Sequence, residues 1–337
     1  MIGEEGNDRL RILLTGASGF LGSHIAEQLD RRGAEVRALV RSTSDTRLLE
    51  GLEHVTLVRG AMDDRDSLLA ATEGVDGIVH AAGLVKARKP ADFHRTNGQG
   101  TAHLLDAARS NAPDLKRFVL VSSLAVAGPS KDGRPLPAAA SPNPVTHYGR
   151  SKLAAEHAAR EAAEALPVTI LRAPMIYGPR DREMLAFFKS VQWGVLPMTG
   201  SPESALSAVF VTDCAAACIR ALEANVPSGA VFDVDDGQTE TLGELITHIE
   251  NALDSRAWLR VPVPHFVMYG AALGSEVYGR VMRRAVMLTR DKLNELLASH
   301  WVCDSGEAQT ALMWMPRVSF EEGARITGEW YRREGWL

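Results

Sequence analysis

Cysteine is scarce in this sequence, with only Cys214, Cys218 and Cys303 among 337 residues. Three cysteines cannot build a disulfide framework for a chain of this size, and their number fits a reducing compartment. Neither a CxxC pair nor an HExxH run is present, so no metal is expected; Cys214 and Cys218, four apart on one helix face, are read as core residues. Long runs of one charge are also missing. Lys and Arg number 37 against 42 Asp and Glu, for a net charge of −5, and this even spread gives no reason to expect a nucleic-acid groove or a polybasic membrane patch. No apolar stretch reaches the ~20 residues of a spanning helix. The longest, VPVPHFVMYGAAL at 261–273, contains two prolines and is read as buried or substrate-facing. The first ten residues are polar and acidic, without the basic start and apolar middle of a secretory signal. A cytoplasmic protein with small-molecule partners, no nucleic acid and no membrane span is the expectation.

What is present is an ordinary globular composition, 45% apolar and 23% charged, enough to bury a large core shared by two lobes. From residue 11 the apolar runs RILLT, EVRALV, VTLV, GIVHAA, RFVLVSS and VTILRA alternate with segments of helical period at 20–32, 64–72, 92–110 and 146–165. Such alternation predicts an α/β protein, a Rossmann-type doubly wound parallel sheet covered on both faces. Residues 1–174 are assigned to this dinucleotide-binding domain. Residues 175–337, with a loop-rich stretch at 177–208, a strand at 229–234 and helices near 241–254, 289–299 and 319–333, form mainly a smaller substrate lobe, with about 205–225 returning to the first domain. The Pro/Ala-rich stretch 129–144 reads as a mobile loop before Tyr148.

RILLT runs into TGASGFLGSHIAEQL, which puts Gly16, Gly19 and Gly22 between a strand and a helix whose free N–H groups can bind a pyrophosphate. At the end of EVRALV an acidic residue would hold the adenosine ribose of NAD; the chain has Arg41 there instead. A guanidinium can pair with a 2′-phosphate, so NADP(H) is preferred over NAD(H), against the alternative of a merely solvated arginine. Asp63 suits the adenine amino group or a helix N-cap. The small residues Ala81, Ala82 and Gly83 end the fourth strand where backbone must pass close to the cofactor.

Tyr148 and Lys152 stand four apart in YGRSK and share a helix face. A free phenol, at a pKa of ~10, exchanges its proton poorly near neutrality, and the Lys152 ammonium is expected to favour the phenolate. Ser122 and Ser123 end the fifth strand on the edge where open α/β sheets place ligands, with one of them facing a substrate carbonyl.

Together TGASGFLG, HAAG, TNGQGT, VLVSSLAVAG, YGRSK, LRAPMIYGP and the VTD at 211–213 resemble the extended short-chain dehydrogenase/reductase family, the NAD-dependent epimerase/dehydratases, over nearly the whole chain. The resemblance implies catalytic Tyr148 and Lys152, Ser123 as the active serine of the pair, and Asn97 as the polar residue of the NxxGT helix. It carries cofactor contacts to Ser18, Phe20 and Leu21 in the glycine turn, to Ser122, and to Pro174 and Ile176, and substrate contacts to Val85, Ser123, Tyr148 and Met175. Sugar-nucleotide members carry an asparagine where this chain has Met175, and a thioether cannot replace an amide donor. The wording PMIYGP and the C-terminal WVCDSGEAQTALMWMP resemble the hydroxysteroid dehydrogenase, dihydroflavonol reductase and hopanoid-associated branch. An NADP(H)-dependent oxidoreductase acting on a hydrophobic ketone, aldehyde or alcohol is therefore expected. Its rivals are a nucleotide-sugar epimerase or dehydratase with tightly held NAD, and a non-catalytic NADP sensor, which would ordinarily lack the Tyr/Lys pair. The alanine-rich continuation AAEHAAREAAEAL permits close helix approach and suggests a homodimer, the alternative being an exposed helix chosen for alanine's propensity.

Overall fold

A computed structural model describes residues 9–337; residues 1–8, which hold most of the polar opening read for export, lie outside the described residues. The six apolar runs become β1 (Arg11–Thr15), β2 (Glu35–Val40), β3 (Val55–Arg59), β4 (Gly77–His80), β5 (Arg117–Ser123) and β6 (Val168–Ala173). Between them lie α1 (Phe20–Arg31), α2 (Arg65–Thr72), α3 (Pro90–Phe93), α4 (Gly100–Asn111) and α5 (His147–Ala162). The helix expected over 92–110 is interrupted: a π-helical turn, His94–Gln99, joins α3 to α4. After β6 come β7 (Met175–Tyr177), α6 (Leu185–Gln192), β8 (Val195–Met198), β9 (Ala205–Leu206), β10 (Ala208–Phe210), α7 (Val211–Glu223) and β11 (Ala230–Asp233). The chain closes with β12 (Glu240–Thr241), α8 (Leu242–Leu253), β13 (Leu259–Pro262), α9 (His265–Val281), α10 (Arg290–Leu296), α11 (Gly306–Ala311) and α12 (Phe320–Arg333).

The main sheet has seven strands in the order β3-β2-β1-β4-β5-β6-β11, every pairing parallel. Its strands are near-continuous Val/Ile/Leu runs because both faces are covered. Alternate residues serve the two sides: Leu13, Ile78 and Phe118 pack with Leu68, Leu104 and Ala155 of α2, α4 and α5, whereas Ile12, Leu14 and Val79 pack with Ile25 of α1 and Cys214 and Cys218 of α7. The order reverses between β1 and β4, so the carboxyl ends of those strands flank the crevice where such sheets bind ligands.

A third core is built on Tyr177, Phe188, Leu245, Ile249, Phe320 and Tyr331. Later segments rejoin the main sheet. β11 extends it next to β6, and buried Trp314 donates from Nε1 to the Asp213 carbonyl at 3.1 Å. The Asp213 carboxylate accepts from the Arg317 and Val318 amides at 2.8 and 2.9 Å, which straps the C-terminal segment over the start of α7.

One sequence reading needs detail and another correction. The stretch 177–208 is loop-rich as read, at 178–184 and 199–204, but it also holds α6 and β8, whose Phe188, Val191 and Leu196 are core residues. The stretch 261–273, read as buried or substrate-facing, ends β13 and begins α9, and Phe266, Val267, Tyr269 and Leu273 are exposed. An apolar run reports that a segment has an apolar face without saying what covers it.

Candidate active site

The glycine turn follows from close packing. Gly16 has φ +74°, in the left-handed region, and a Cβ there would meet Ala81 C and Ala82 N at 2.7 Å. A methyl on Gly22 would lie 2.6 Å from the Gly16 carbonyl carbon. Helix α1 begins at Gly19 without a side-chain cap, so its first N–H groups remain available to an anion. Ser18 and Phe20 are partly exposed beside this opening and Leu21 is buried in it. Thr15 locks the turn to β4: its Oγ1 lies 2.6 Å from His80 Nδ1 and accepts from the Ala82 amide at 3.2 Å. His80 Nε2 in turn meets Thr101 Oγ1 at 2.9 Å. Burial first, and the nearby Lys152 charge second, lower the His80 pKa to about 3, so its imidazole is neutral and acts as a strut.

At the end of β2, Arg41 is exposed, and its guanidinium makes no hydrogen bond or ion pair among the described residues. Its amide donates to Ser44 Oγ at 3.1 Å and its carbonyl accepts from Arg59 Nη1 at 2.9 Å, so a second guanidinium, not anticipated from the sequence, stands at the same edge. Asp63 is exposed. The helix cap considered for it belongs to its neighbour Asp64, whose carboxylate accepts from the Ser67 amide at 3.3 Å.

Thr146 caps α5, and Tyr148, Lys152 and Glu156 follow at intervals of four on one helical stripe. Tyr148 lies beside Ser123 at the end of β5, with Phe93 edge-on at 6.2 Å. Burial pushes the phenol up to about 12; the Ser123 hydroxyl pulls it down, and the Glu295 and Glu183 carboxylates raise it further. The lowering expected from Lys152 is not what governs the phenol in this arrangement. Burial brings Lys152 down to about 8, against the upward pull of Glu156, and its Nζ donates to the Val121 carbonyl at 2.8 Å.

Asn97 is 1% exposed and sits within the π-helical turn, a local widening often found at functional sites. Its Oδ1 accepts from the Leu84 amide at 2.7 Å, and its Nδ2 donates to the Leu84 carbonyl at 3.0 Å and to Ser151 Oγ at 2.9 Å. The residue therefore clamps the loop after β4 to α5. A Cβ on Gly83 would fall 3.3 Å from Asn97 Oδ1 and 3.4 Å from Lys152 Nζ, so Ala81, Ala82, Gly83, Asn97 and Lys152 converge on one floor. Val85, just beyond, is 51% exposed. Pro174, Met175 and Ile176 are partly exposed at the end of β6 and start of β7.

The side chain of Ser122 turns elsewhere, donating to Glu156 Oε1 at 2.7 Å. Glu156, which sequence reading missed, also takes a bidentate contact from Arg172 at 2.9 and 2.8 Å and one from Arg160 at 2.9 Å. Burial alone would raise its pKa, but the Arg172 hydrogen bonds and charge hold it below the ordinary value. Arg172 Nη1 reaches the Ala138 carbonyl at 3.0 Å, pinning the Pro/Ala-rich loop. The clue was available, since Glu156 continues the Tyr148–Lys152 spacing.

The uncapped helix start, the glycine turn with no room for a methyl, and the small-residue floor at Gly83 fit an elongated dinucleotide. Ser123, Tyr148 and Lys152 at its far end can exchange a proton with a carbonyl or hydroxyl group.

Known proteins share the chain's sequence profile and its fold. The sequence profile described as the NAD dependent epimerase/dehydratase family matches residues 12–234. A ceramide reductase from Caulobacter vibrioides is 31% identical over 97% of this chain and 96% of its own. A 4-hydroxy-2-methyl-3-oxo-4-farnesyl-3,4-dihydroquinoline-1-oxide ketoreductase from Stigmatella aurantiaca is 30% identical, covering 93% of this chain and 94% of its own. The crystal structure of a UDP-glucose 4-epimerase from Thermotoga maritima, with UDP-glucose, superposes with a TM-score of 0.78 over 96% of this chain and 99% of its own; at 23% identity it shares the fold.

Proposed function

The chain belongs to the NAD dependent epimerase/dehydratase family as an enzyme acting on CH–OH or C=O groups, and we propose that it is an NADP(H)-dependent oxidoreductase that interconverts a ketone or aldehyde and an alcohol on a hydrophobic small molecule. The observation that carries this reading is the placing of Tyr148 beside Ser123, with Lys152 on the same stripe of α5. The nicotinamide, when bound, supplies or accepts the hydride. Tyr148, which keeps its proton at neutral pH, donates it to the carbonyl oxygen during reduction and takes it back during oxidation. Ser123 donates a hydrogen bond to the same oxygen. Lys152 would hold the cofactor ribose, and Asn97 fixes the backbone around it through Leu84 and Ser151.

The Arg41 guanidinium, without a partner among the described residues, and Arg59, whose Nη1 donates to the Arg41 carbonyl, support a 2′-phosphate and hence NADP(H). Gly16, Ser18, Gly19, Phe20, Leu21 and Gly22 would cradle the pyrophosphate, Asp63 would take the adenine amino group, and Ala81, Ala82, Gly83, Pro174, Ile176 and, through its backbone alone, Ser122 would border the rest of the cofactor. Val85 and Met175 face the substrate. Its hydrophobic character is supported by Met175 in place of an amide donor and by relatives named for reducing a ceramide and a farnesyl compound. Three buried cysteines without disulfides accord with a cytoplasmic setting. Two copies associate through α5, the helix bearing Tyr148, which light scattering at micromolar concentration checks.

The direct test of cofactor and reaction class is titration with NADPH and NADH by nicotinamide fluorescence, in the presence of apolar ketones or UDP-sugars. Tighter NADPH binding, abolished as a preference in Arg41→Ala, together with ketone-dependent cofactor oxidation is expected. An NADH preference, or reaction with UDP-sugars alone, replaces this reading with that of an epimerase.

A further inference from the structure

α9 meets the rest of the protein through Met268, Ala272 and Gly279, which fall on one stripe, and Met268 and Ala272 pack with Leu293 of α10. Roughly 140–220° around the helix from that stripe, at 3.6 residues per turn, lie Phe266, Leu273, Val277 and Val281, which are 77, 49, 49 and 73% exposed. A helix packed on one side against protein and open to water on the other ordinarily turns polar residues outward, and one that is apolar all round is covered all round. Trp193 and Trp258, which precede the paired strands β8 and β13 on the way to α9, are 71 and 77% exposed.

Charge sets this face apart as well. Residues 256–290 hold Arg256, Arg260, Arg280, Arg283, Arg284 and Arg290 against the single acidic Glu276, so six less one gives +5 within a chain of −5. The even charge spread of the whole sequence thus includes one segment of net positive charge. Arg260 and Arg290 are paired with Glu250 and Glu276. Arg280, Arg283 and Arg284 are exposed and make no ion pair among the described residues.

We propose that α9 and the β8–β13 ribbon form a docking face for an anionic lipid bilayer. α9 lies along the surface with Phe266, Leu273, Val277 and Val281 among the acyl chains, while Arg280, Arg283 and Arg284 meet lipid phosphates. No helix among the described residues is long and apolar enough to cross a membrane, which leaves α9 to lie on one. A second copy is a poorer occupant, because a two-fold contact would oppose the arginine cluster to itself. The docked face is tied to the catalytic helix. The Glu276–Arg290 pair joins α9 to α10, and Asp291 of α10 accepts from the His147 amide at 2.9 Å, next to Tyr148.

The test is cosedimentation of the full chain with vesicles of phosphatidylcholine alone or with a minor share of phosphatidylserine, without cofactor or substrate, so that it stands apart from the proposed reaction. Binding to the phosphatidylserine vesicles at least about tenfold tighter, weakened by salt and accompanied by a blue shift of tryptophan emission, is expected. Phe266→Ser with Val277→Ser, and separately Arg283→Glu with Arg284→Glu, each lower that binding about tenfold or more while circular dichroism stays unchanged. If the apolar pair fails to fold, the exposed arginine pair decides. Absence of binding, equal binding to both vesicles, variants that bind like the parent, or a dimer in light scattering that Phe266→Ser dissolves would each overturn the proposal.

Discussion

Glu156 and Arg172 form a bidentate ion pair at 2.9 and 2.8 Å with both side chains shut away from water, one helical turn beyond Lys152. The pair joins α5 to β6 and, through Ala138, to the loop that precedes Tyr148. Glu156→Gln leaves the buried guanidinium without its bidentate carboxylate, which costs on the order of 3–5 kcal/mol. Denaturant unfolding is expected to show that loss, and titration of Lys152 to show its pKa moving further down, since Glu156 now pulls it up. An unfolding midpoint equal to that of the parent would mean that the pair carries no load.

Arg41→Ala tests the reading of the β2 edge. A bidentate hydrogen-bonded charge pair contributes ~1.5–3 kcal/mol, so NADPH affinity is expected to fall about 10- to 100-fold while NADH affinity is little changed. Isothermal titration with both cofactors distinguishes this from a solvated arginine, whose removal would shift neither.

Gly16→Ala asks whether the glycine turn is as tight as it looks. A Cβ would meet Ala81 and Ala82 backbone at 2.7 Å in a left-handed conformation. That strain alone costs about 1–3 kcal/mol. A lowered melting temperature and lost cofactor binding are expected, and retention of both would show that the turn can widen.

Asp233, at the end of β11, supplies a pH dependence. Burial pushes its carboxyl up to about 7, with Arg172 pulling it back and Glu156 raising it. The folded pKa therefore lies above the ordinary 3.8, and the folded state keeps a proton that the unfolded chain has released. This contribution is present below the unfolded pKa and is lost as pH rises through about 7. Asp233→Asn, which cannot ionise, is expected to flatten the fall in melting temperature between about pH 4 and pH 7 and to be the more stable protein above it.

Much of this was legible in the sequence because it is written in period and spacing. The strand runs carried the sheet, Gly16, Gly19 and Gly22 marked the turn, and Tyr148 and Lys152 stood one turn apart. What escaped depends on partners distant in the chain. Glu156 reads as one more charged residue on a helix until Arg172 and Ser122 arrive beside it, and Asn97 gains its clamp only where a π-helical turn brings it to Leu84. Which of two adjacent aspartates caps α2 depends on where the helix begins, and the Ser67 amide meets Asp64. The apolar run at 261–273 could not tell of its exposure, because the same residue types serve a core and an uncovered helix face alike.

Whether this site performs net hydride transfer with Tyr148 as its proton partner is decided most directly by incubating the enzyme with deuterium-labelled NADPH and a panel of apolar ketones, and locating the label by mass spectrometry. Deuterium at the carbinol carbon of an alcohol product, with turnover lowered about 10²- to 10⁴-fold in Tyr148→Phe and NADPH binding retained, is the expected result. Cofactor recovered with its label intact while a UDP-sugar is epimerised, or label transfer undiminished in Tyr148→Phe, would contradict it.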